Sequence, residues 1–255
     1  MRIRIRVLPF LVCLAGAVLC TAQTRQTVVV RGHEQTLYVY GSPGGDPVIV
    51  SSGDGGWIHL GPSVAEFLSS RGFSVTGFDA RAYLTSFTAG ASTLRPEDVP
   101  ADFKALVQRA RGPSGKKPIL VGVSEGAGLA ILAASDNEIQ SEIAGVIGLG
   151  VPSRTELGWR LRDSLIYFTH KTPDEPTVST AAIVDKVSPL PFAAIHSTND
   201  EFVPVADIQN IFTHAHDPKK LWIVAASNHR FSSNPQEFQN RLLEAITWVR
   251  QNTPH

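Results

Sequence analysis

The chain has 255 residues, 43% of them hydrophobic, and a mean hydropathy near zero. That length and composition fit one globular α/β domain with a sizeable core. Basic and acidic side chains are equal at 23 each, so the chain lacks the positive excess that a nucleic-acid partner requires.

Residues 1–22 read as a secretory signal. Arg2, Arg4 and Arg6 form a basic n-region and Val7 to Leu19 an apolar h-region. Cys20-Thr21-Ala22 offers small residues before a cut at Gln23. The apolar run is too short to span a bilayer comfortably, which weighs against the alternative of an uncleaved anchor. A lipoprotein site at Cys20 is disfavoured by the large Leu19 before it. Cleavage removes three of the 23 basic side chains and none of the 23 acidic ones, leaving a formal charge of −3. Cys13 and Cys20 also leave. The exported chain, residues 23–255, then has no thiol for a disulfide, a metal or nucleophilic attack. A periplasmic or secreted location is expected.

Gln26 to Val30 and Thr36 to Tyr40 are β-rich runs around a turn at Gly32-His33-Glu34-Gln35, and predict a hairpin. Val48 to Ser51 predicts a buried strand, broken by Gly53-Asp54-Gly55-Gly56. A helix is expected near Ser63 to Arg71, then a strand Phe73 to Phe78 ending at Asp79. Thr85 to Ser92 is polar and irregular. Pro96-Glu97-Asp98 opens a helix running to about Arg111, with proline and acids at the favoured end. Pro118 to Val123 and Ala144 to Leu149 predict further strands. Residues 152–188 have no clean period and read as an insertion or lid over the active-site end, or else as a packed helix pair. Phe192 to His196, Val205 to Phe212, Leu221 to Ala225 and Pro235 to Arg250 complete a strand, helix, strand, helix tail. Such alternation implies a mainly parallel, doubly wound sheet with helices on both faces.

The chemistry centres on Gly122-Val123-Ser124-Glu125-Gly126. It lies between an apolar strand and the alanine- and glycine-rich run Ala127 to Ala134. Strand, tight turn and helix are the context of a nucleophile elbow, in which the serine backbone is strained and glycines spare it a clash. Without that context the serine is an ordinary helix N-cap.

A serine hydroxyl needs a base, and the base an orienting acid. Asp200 and His229 each lie just past a later strand, in the order serine, acid, histidine. Glu201 competes with Asp200 as the acid, and His196 is an alternative base. The oxyanion needs two donors. The Glu125 amide, next after the nucleophile, is one candidate. The glycine loop Gly53-Asp54-Gly55-Gly56-Trp57 supplies the other, with the Asp54 amide favoured by position. Gly53, Gly55 and Trp57 are candidate substrate-binding residues. A phosphate-cradling role for this loop is disfavoured, because no Lys-Ser/Thr follows it. His214 and His216 lack an evident third ligand, so neither a metal nor a cofactor is implied.

Elbow, acid and histidine together resemble the α/β-hydrolase superfamily across the mature chain. The segment Ser52-Gly53-Asp54-Gly55-Gly56-Trp57, with the helix and strand after it to Asp79, resembles the bacterial VirJ family, which includes the C-terminal domain of AcvB. Tyr83 and Pro96 to Phe103 fit that family as well. The resemblance implies export to the periplasm and hydrolysis of lysyl-phosphatidylglycerol. It places the catalytic serine at Ser124, with Asp200 and His229 as acid and base. A small-molecule or lipid ester and transient contact with a membrane surface are the partners it implies.

Two positions depart from the family, which tends to carry an aromatic where this chain has Glu125 and an aspartate where it has Gly128. His196 to Pro204 resembles dienelactone-hydrolase-type esterases instead. A general carboxylesterase is therefore the alternative enzyme, and a non-catalytic export-associated binding protein the alternative outside enzymes. Asp54 and Glu125 lie near the expected pocket, where acids suit a cationic head group.

Overall fold

The computed structural model describes residues 23–169 and 174–254. The predicted signal, residues 1–22, lies outside them. The chain opens with the antiparallel hairpin β1 (Thr24–Val30) and β2 (His33–Tyr40), turned at Arg31 and Gly32. β3 (Pro47–Ser51), α1 (Leu60–Ser70) and β4 (Ser74–Phe78) follow. Next come α2 (Ala80–Ser86), α3 (Asp98–Ala110), β5 (Ile119–Val123), α4 (Glu125–Ala134), the short α5 (Asn137–Gln140) and β6 (Gly145–Leu149).

The eight-stranded sheet has the order β1-β2-β4-β3-β5-β6-β9-β10, where β9 is Phe192–Ser197 and β10 is Lys219–Val224. β1 and β2 pair antiparallel, β2 pairs antiparallel with β4, and all later pairings are parallel. This is the mainly parallel arrangement expected of an α/β-hydrolase. Parallel strands covered on both faces carry unbroken apolar runs rather than alternation. β3, β5, β6 and β9 are buried at every position, which explains why each was visible as a short continuous run.

The sheet divides the core in two. One layer packs residues of α2, α3, α4 and α7 (Val205–His214) on one face. The other packs α1 and α8 (Pro235–Asn252) on the opposite face.

Two local expectations need correction. Thr85 and Ser86, at the start of the stretch expected to be irregular, instead close α2. Asp79 caps it by accepting the Ala82 amide at 2.9 Å, and Ala80-Arg81-Ala82 are helix formers behind that cap. The insertion 152–188 is not a packed helix pair among its described residues. It holds the antiparallel pair β7 (Arg154–Glu156) and β8 (Thr177–Ser179), a 3₁₀ turn at Leu161–Leu165 and the four-residue α6 (Ile166–Thr169). None is long enough to show a sequence period. Among the described residues no helix is long and apolar enough to cross a membrane.

Candidate active site

Ser124 sits between β5 and α4 with φ 49° and ψ −119°, a left-handed conformation that a residue with a Cβ rarely adopts. The turn is tied down on both sides. The Ser124 amide donates to Leu149 O at 2.8 Å, and its carbonyl accepts from the Ala127 amide at 2.8 Å. A Cβ at Gly122 would overlap the backbone of Ala127, and one at Gly126 the carbonyl of Ser52. The glycines of the pentapeptide are thus demanded by close approach on both flanks.

The structure brings Asp200 and His229 together. His229 Nδ1 lies 2.6 Å from Asp200 Oδ2. The other carboxylate oxygen, Oδ1, accepts the amides of Val203 at 2.8 Å and Phe202 at 3.0 Å. Burial pushes this carboxyl up, but the His229 hydrogen bond and charge, with the two amides, outweigh it and hold Asp200 below its ordinary value. The side chain is an ionised hydrogen-bond acceptor in a closed socket.

Glu201 does not take the acid's place, because its Oε2 accepts the backbone amide of His229 at 2.6 Å. His196 is wholly buried in β9. Its Nε2 pairs with Val203 O at 2.9 Å, and burial, foremost, lowers its pKa. It supports the loop that carries Asp200 and does not line the cavity that holds Ser124.

That cavity, of about 180 Å³, is lined by both Ser124 and His229. The imidazole packs over Gly150, at the end of β6, where φ is +61° and a Cβ would overlap the ring. Phe202 packs against the ring in a T-shaped contact, with centroids 5.7 Å apart.

Gly53, Asp54 and Gly55 line the cavity, and a Cβ at Gly53 would lie 3.2 Å from Ser124 Cβ. Trp57 does not line it. Its ring stacks on Tyr38 with centroids 4.9 Å apart, and its Nε1 donates to the Tyr40 hydroxyl at 3.2 Å. Its amide donates to Asp79 Oδ2 at 3.1 Å, so Trp57 anchors the glycine loop to the sheet. An indole beside three glycines carried no sign of which way it faced.

The insertion supplies much of the opposite wall, including Arg154, Glu156 and Ile166. It docks on the start of α4. The Glu156 amide donates to Glu125 Oε1 at 2.8 Å, and a Cβ at Gly128 would overlap Thr155. The two departures at Glu125 and Gly128 therefore belong to one contact, in which a small residue on α4 leaves room for β7. Glu156 and Gly150 were not evident in the sequence as site residues. Gly150 had a signal, a glycine at a strand's carboxyl end. Glu156, in the aperiodic insertion, had none. Next to Ile166, Leu161, Leu165 and Phe168 are exposed; Leu161 is 83% and Phe168 84% accessible. Among the described residues no group of three or more His, Cys, Asp or Glu side chains is arranged to hold a metal ion.

The chain has the α/β-hydrolase fold. It belongs to the VirJ family, since the family model described as bacterial virulence protein (VirJ) matches residues 46–248. Solved structures similar to it include the α/β hydrolase GrgF from Penicillium sp. sh18. That enzyme is 13% identical over 91% of this chain and 99% of the other, with a TM-score of 0.67. The esterase Pf2001 of Pyrococcus furiosus is 20% identical over 89% and 90%, with a TM-score of 0.66. A membrane phospholipase A described as a novel bacterial virulence factor is 14% identical over 89% and 87%, with a TM-score of 0.63. No curated protein sequence matches the chain.

Proposed function

We propose that this hydrolase cleaves an ester through Ser124, with His229 as base and Asp200 as its orienting acid. The observation that carries the reading is the His229–Asp200 hydrogen bond at the wall of the cavity that Ser124 lines. Ser124 Oγ attacks the ester carbonyl while His229 Nε2 takes its proton. The amides of Asp54 and Glu125 receive the oxyanion. The tetrahedral intermediate collapses, and the leaving alcohol takes the proton from His229. Water then attacks the acyl-serine, again giving a proton to His229. The carboxylic acid departs and Ser124 Oγ is reprotonated.

The finer substrate is an aminoacylated phosphatidylglycerol, lysyl-phosphatidylglycerol in particular, met by an exported, periplasmic enzyme at the membrane surface. Membership of the VirJ family and the acids Asp54 and Glu125 in the cavity support it. Exposed Leu161, Leu165 and Phe168 support the membrane contact, and the basic, apolar stretch from Arg2 to Leu19 supports export.

A fluorophosphonate probe, with liposomes carrying lysyl-phosphatidylglycerol, tests both levels. Labelling and lysine release are expected from the wild type, and neither from folded Ser124→Ala. Absence of labelling on folded wild-type protein overturns the enzyme reading in favour of a binding protein. Labelling and simple-ester turnover without lysine release leave a general carboxylesterase.

A further inference from the structure

One carboxyl group beside the nucleophile, that of Glu156, remains without a role in this chemistry. Glu125 and Glu156 both line the cavity that Ser124 lines, and both are 5% exposed. Glu125 receives the Glu156 amide, whereas Glu156 Oε2 has no hydrogen-bond partner at all. A buried carboxylate oxygen without a donor is costly, and a buried charge is ordinarily met by a cation.

Here the charged groups that act on the pair are acids. Asp54 comes from the glycine loop, and Asp163 and Glu175 from the insertion. The nearby cations are engaged further out. Arg160 pairs with Glu175, Arg162 lies 3.4 Å from the same carboxylate, and the Arg160 amide donates to Asp163 at 2.6 Å. Arg154 lines the same wall and donates from Nε to the Thr177 hydroxyl at 2.8 Å, and His229 and Arg230 also line the cavity. His229 is committed to Asp200.

We propose that Glu125 and Glu156 form a subsite for an alkylammonium group on the acyl part of the substrate, and that Glu156 sets the preference for charged over neutral esters. This rests on the serine-hydrolase reading of the same cavity. Glu125 follows Ser124 directly, so the subsite adjoins the atom that holds the acyl group after the alcohol has left. A primary ammonium has three donors and takes both an unpartnered carboxylate oxygen and a neighbouring carboxyl. It also brings a positive charge to two carboxyls on which the neighbouring acids act.

Both carboxyls favour their protonated forms. Burial, and then Glu156 and Asp54, push Glu125 well up. Burial, and then Asp54, Asp163 and Glu175, push Glu156 up to about 8. Binding an ammonium therefore displaces a proton near neutral pH, and the preference strengthens as pH rises.

The test compares two esters that differ only in an ammonium against a methyl at the chain end, p-nitrophenyl 6-aminohexanoate and p-nitrophenyl heptanoate. The quantity read is the ratio of their kcat/KM values, so any loss common to both cancels. For the wild type the ratio is expected to rise between about pH 6 and about pH 9. Glu156→Gln should lower it about tenfold and flatten its pH dependence, and Glu125→Gln should lower it too. Fluorophosphonate labelling of each variant establishes that it is folded with its nucleophile intact. A wild-type ratio near one at every pH, or a ratio unmoved by both substitutions, overturns the proposal.

If wild-type protein neither labels nor turns over either ester, the hydrolase reading fails on its own. Calorimetry with n-hexylamine then still reads the subsite. Proton-releasing binding that weakens about tenfold in Glu156→Gln sustains it, and no binding to the wild type overturns it.

Discussion

Asp200 and Glu201 are neighbours in the chain that hold one residue by two different groups. Asp200 takes the ring nitrogen of His229 and Glu201 its backbone amide, each at 2.6 Å. The first contact sets the direction and tautomer of the imidazole, and the second sets where its loop sits. One dipeptide after β9 thereby fixes the histidine against both rotation and translation.

The two acids should differ sharply on substitution. Asp200→Asn is expected to lower kcat by about 10⁴, because an amide facing Nδ1 favours the wrong tautomer. Glu201→Gln keeps an acceptor for the amide and is expected to cost about tenfold or less. Turnover of p-nitrophenyl acetate by both variants checks this. A greater loss from Glu201→Gln would reverse the assignment.

Much of this arrangement was legible beforehand. The buried parallel strands announced themselves as unbroken apolar runs. The loops after them were the natural positions for Ser124, Asp200 and His229. The choice between Asp200 and Glu201 was not legible, since adjacent acids differ only in where a turn points them. The direction of Trp57 was not legible either, because an aromatic beside a glycine loop packs equally well on the sheet, and here Tyr38 and Tyr40 receive it. Glu156 was hidden because its strand is three residues long and pairs only within the insertion. Its role depends on Gly128 making space for Thr155 one residue away, a relation that one sequence cannot display.

Gly150 offers a test of how tightly the histidine must be held. A side chain there meets the imidazole and also forces a residue with a Cβ to φ +61°. Gly150→Ala should displace the ring without touching Ser124 or Asp200. A displacement of about 1 Å costs on the order of 10² in rate. The expected result is a fall in kcat of about that size, with far-UV circular dichroism unchanged. Wild-type turnover by Gly150→Ala would mean that the ring has room to spare.

The buried acids make stability depend on pH in a definite direction. Glu156 titrates at about 8 in the folded chain against an ordinary value of 4.5. The folded state then binds more protons than the unfolded one across that interval, so its contribution to stability falls as pH rises. Glu156→Gln removes this dependence. The Tm difference between variant and wild type should therefore shift in the variant's favour from about pH 5 to about pH 8 and level off above. In a domain of this size each kcal/mol corresponds to about 2–4 °C. Thermal melts at several pH values measure it. A difference that stays flat across the interval would mean that Glu156 is ionised throughout.

The apolar side chains next to Ile166 bear on how a lipid would reach Ser124. Leu161, Leu165 and Phe168 are among the large hydrophobic residues left exposed, and they flank a residue that lines the cavity. In water such surface is unfavourable; at a bilayer interface it is buried among acyl chains and headgroups. Full burial of one Leu or Phe side chain is worth about 1.5–3 kcal/mol. The double substitution Leu161→Ser and Phe168→Ser should therefore weaken binding to phosphatidylglycerol-containing vesicles by about tenfold or more. Lysine release from lysyl-phosphatidylglycerol in those vesicles should fall in parallel. Turnover of water-soluble p-nitrophenyl acetate should hold steady, because neither side chain lines the cavity. Vesicle sedimentation and the two activity assays, run on the same protein, separate the possibilities. Unchanged vesicle binding by the double variant would remove the membrane role from this segment. A proportional loss on the soluble ester would assign it instead to shaping the cavity wall.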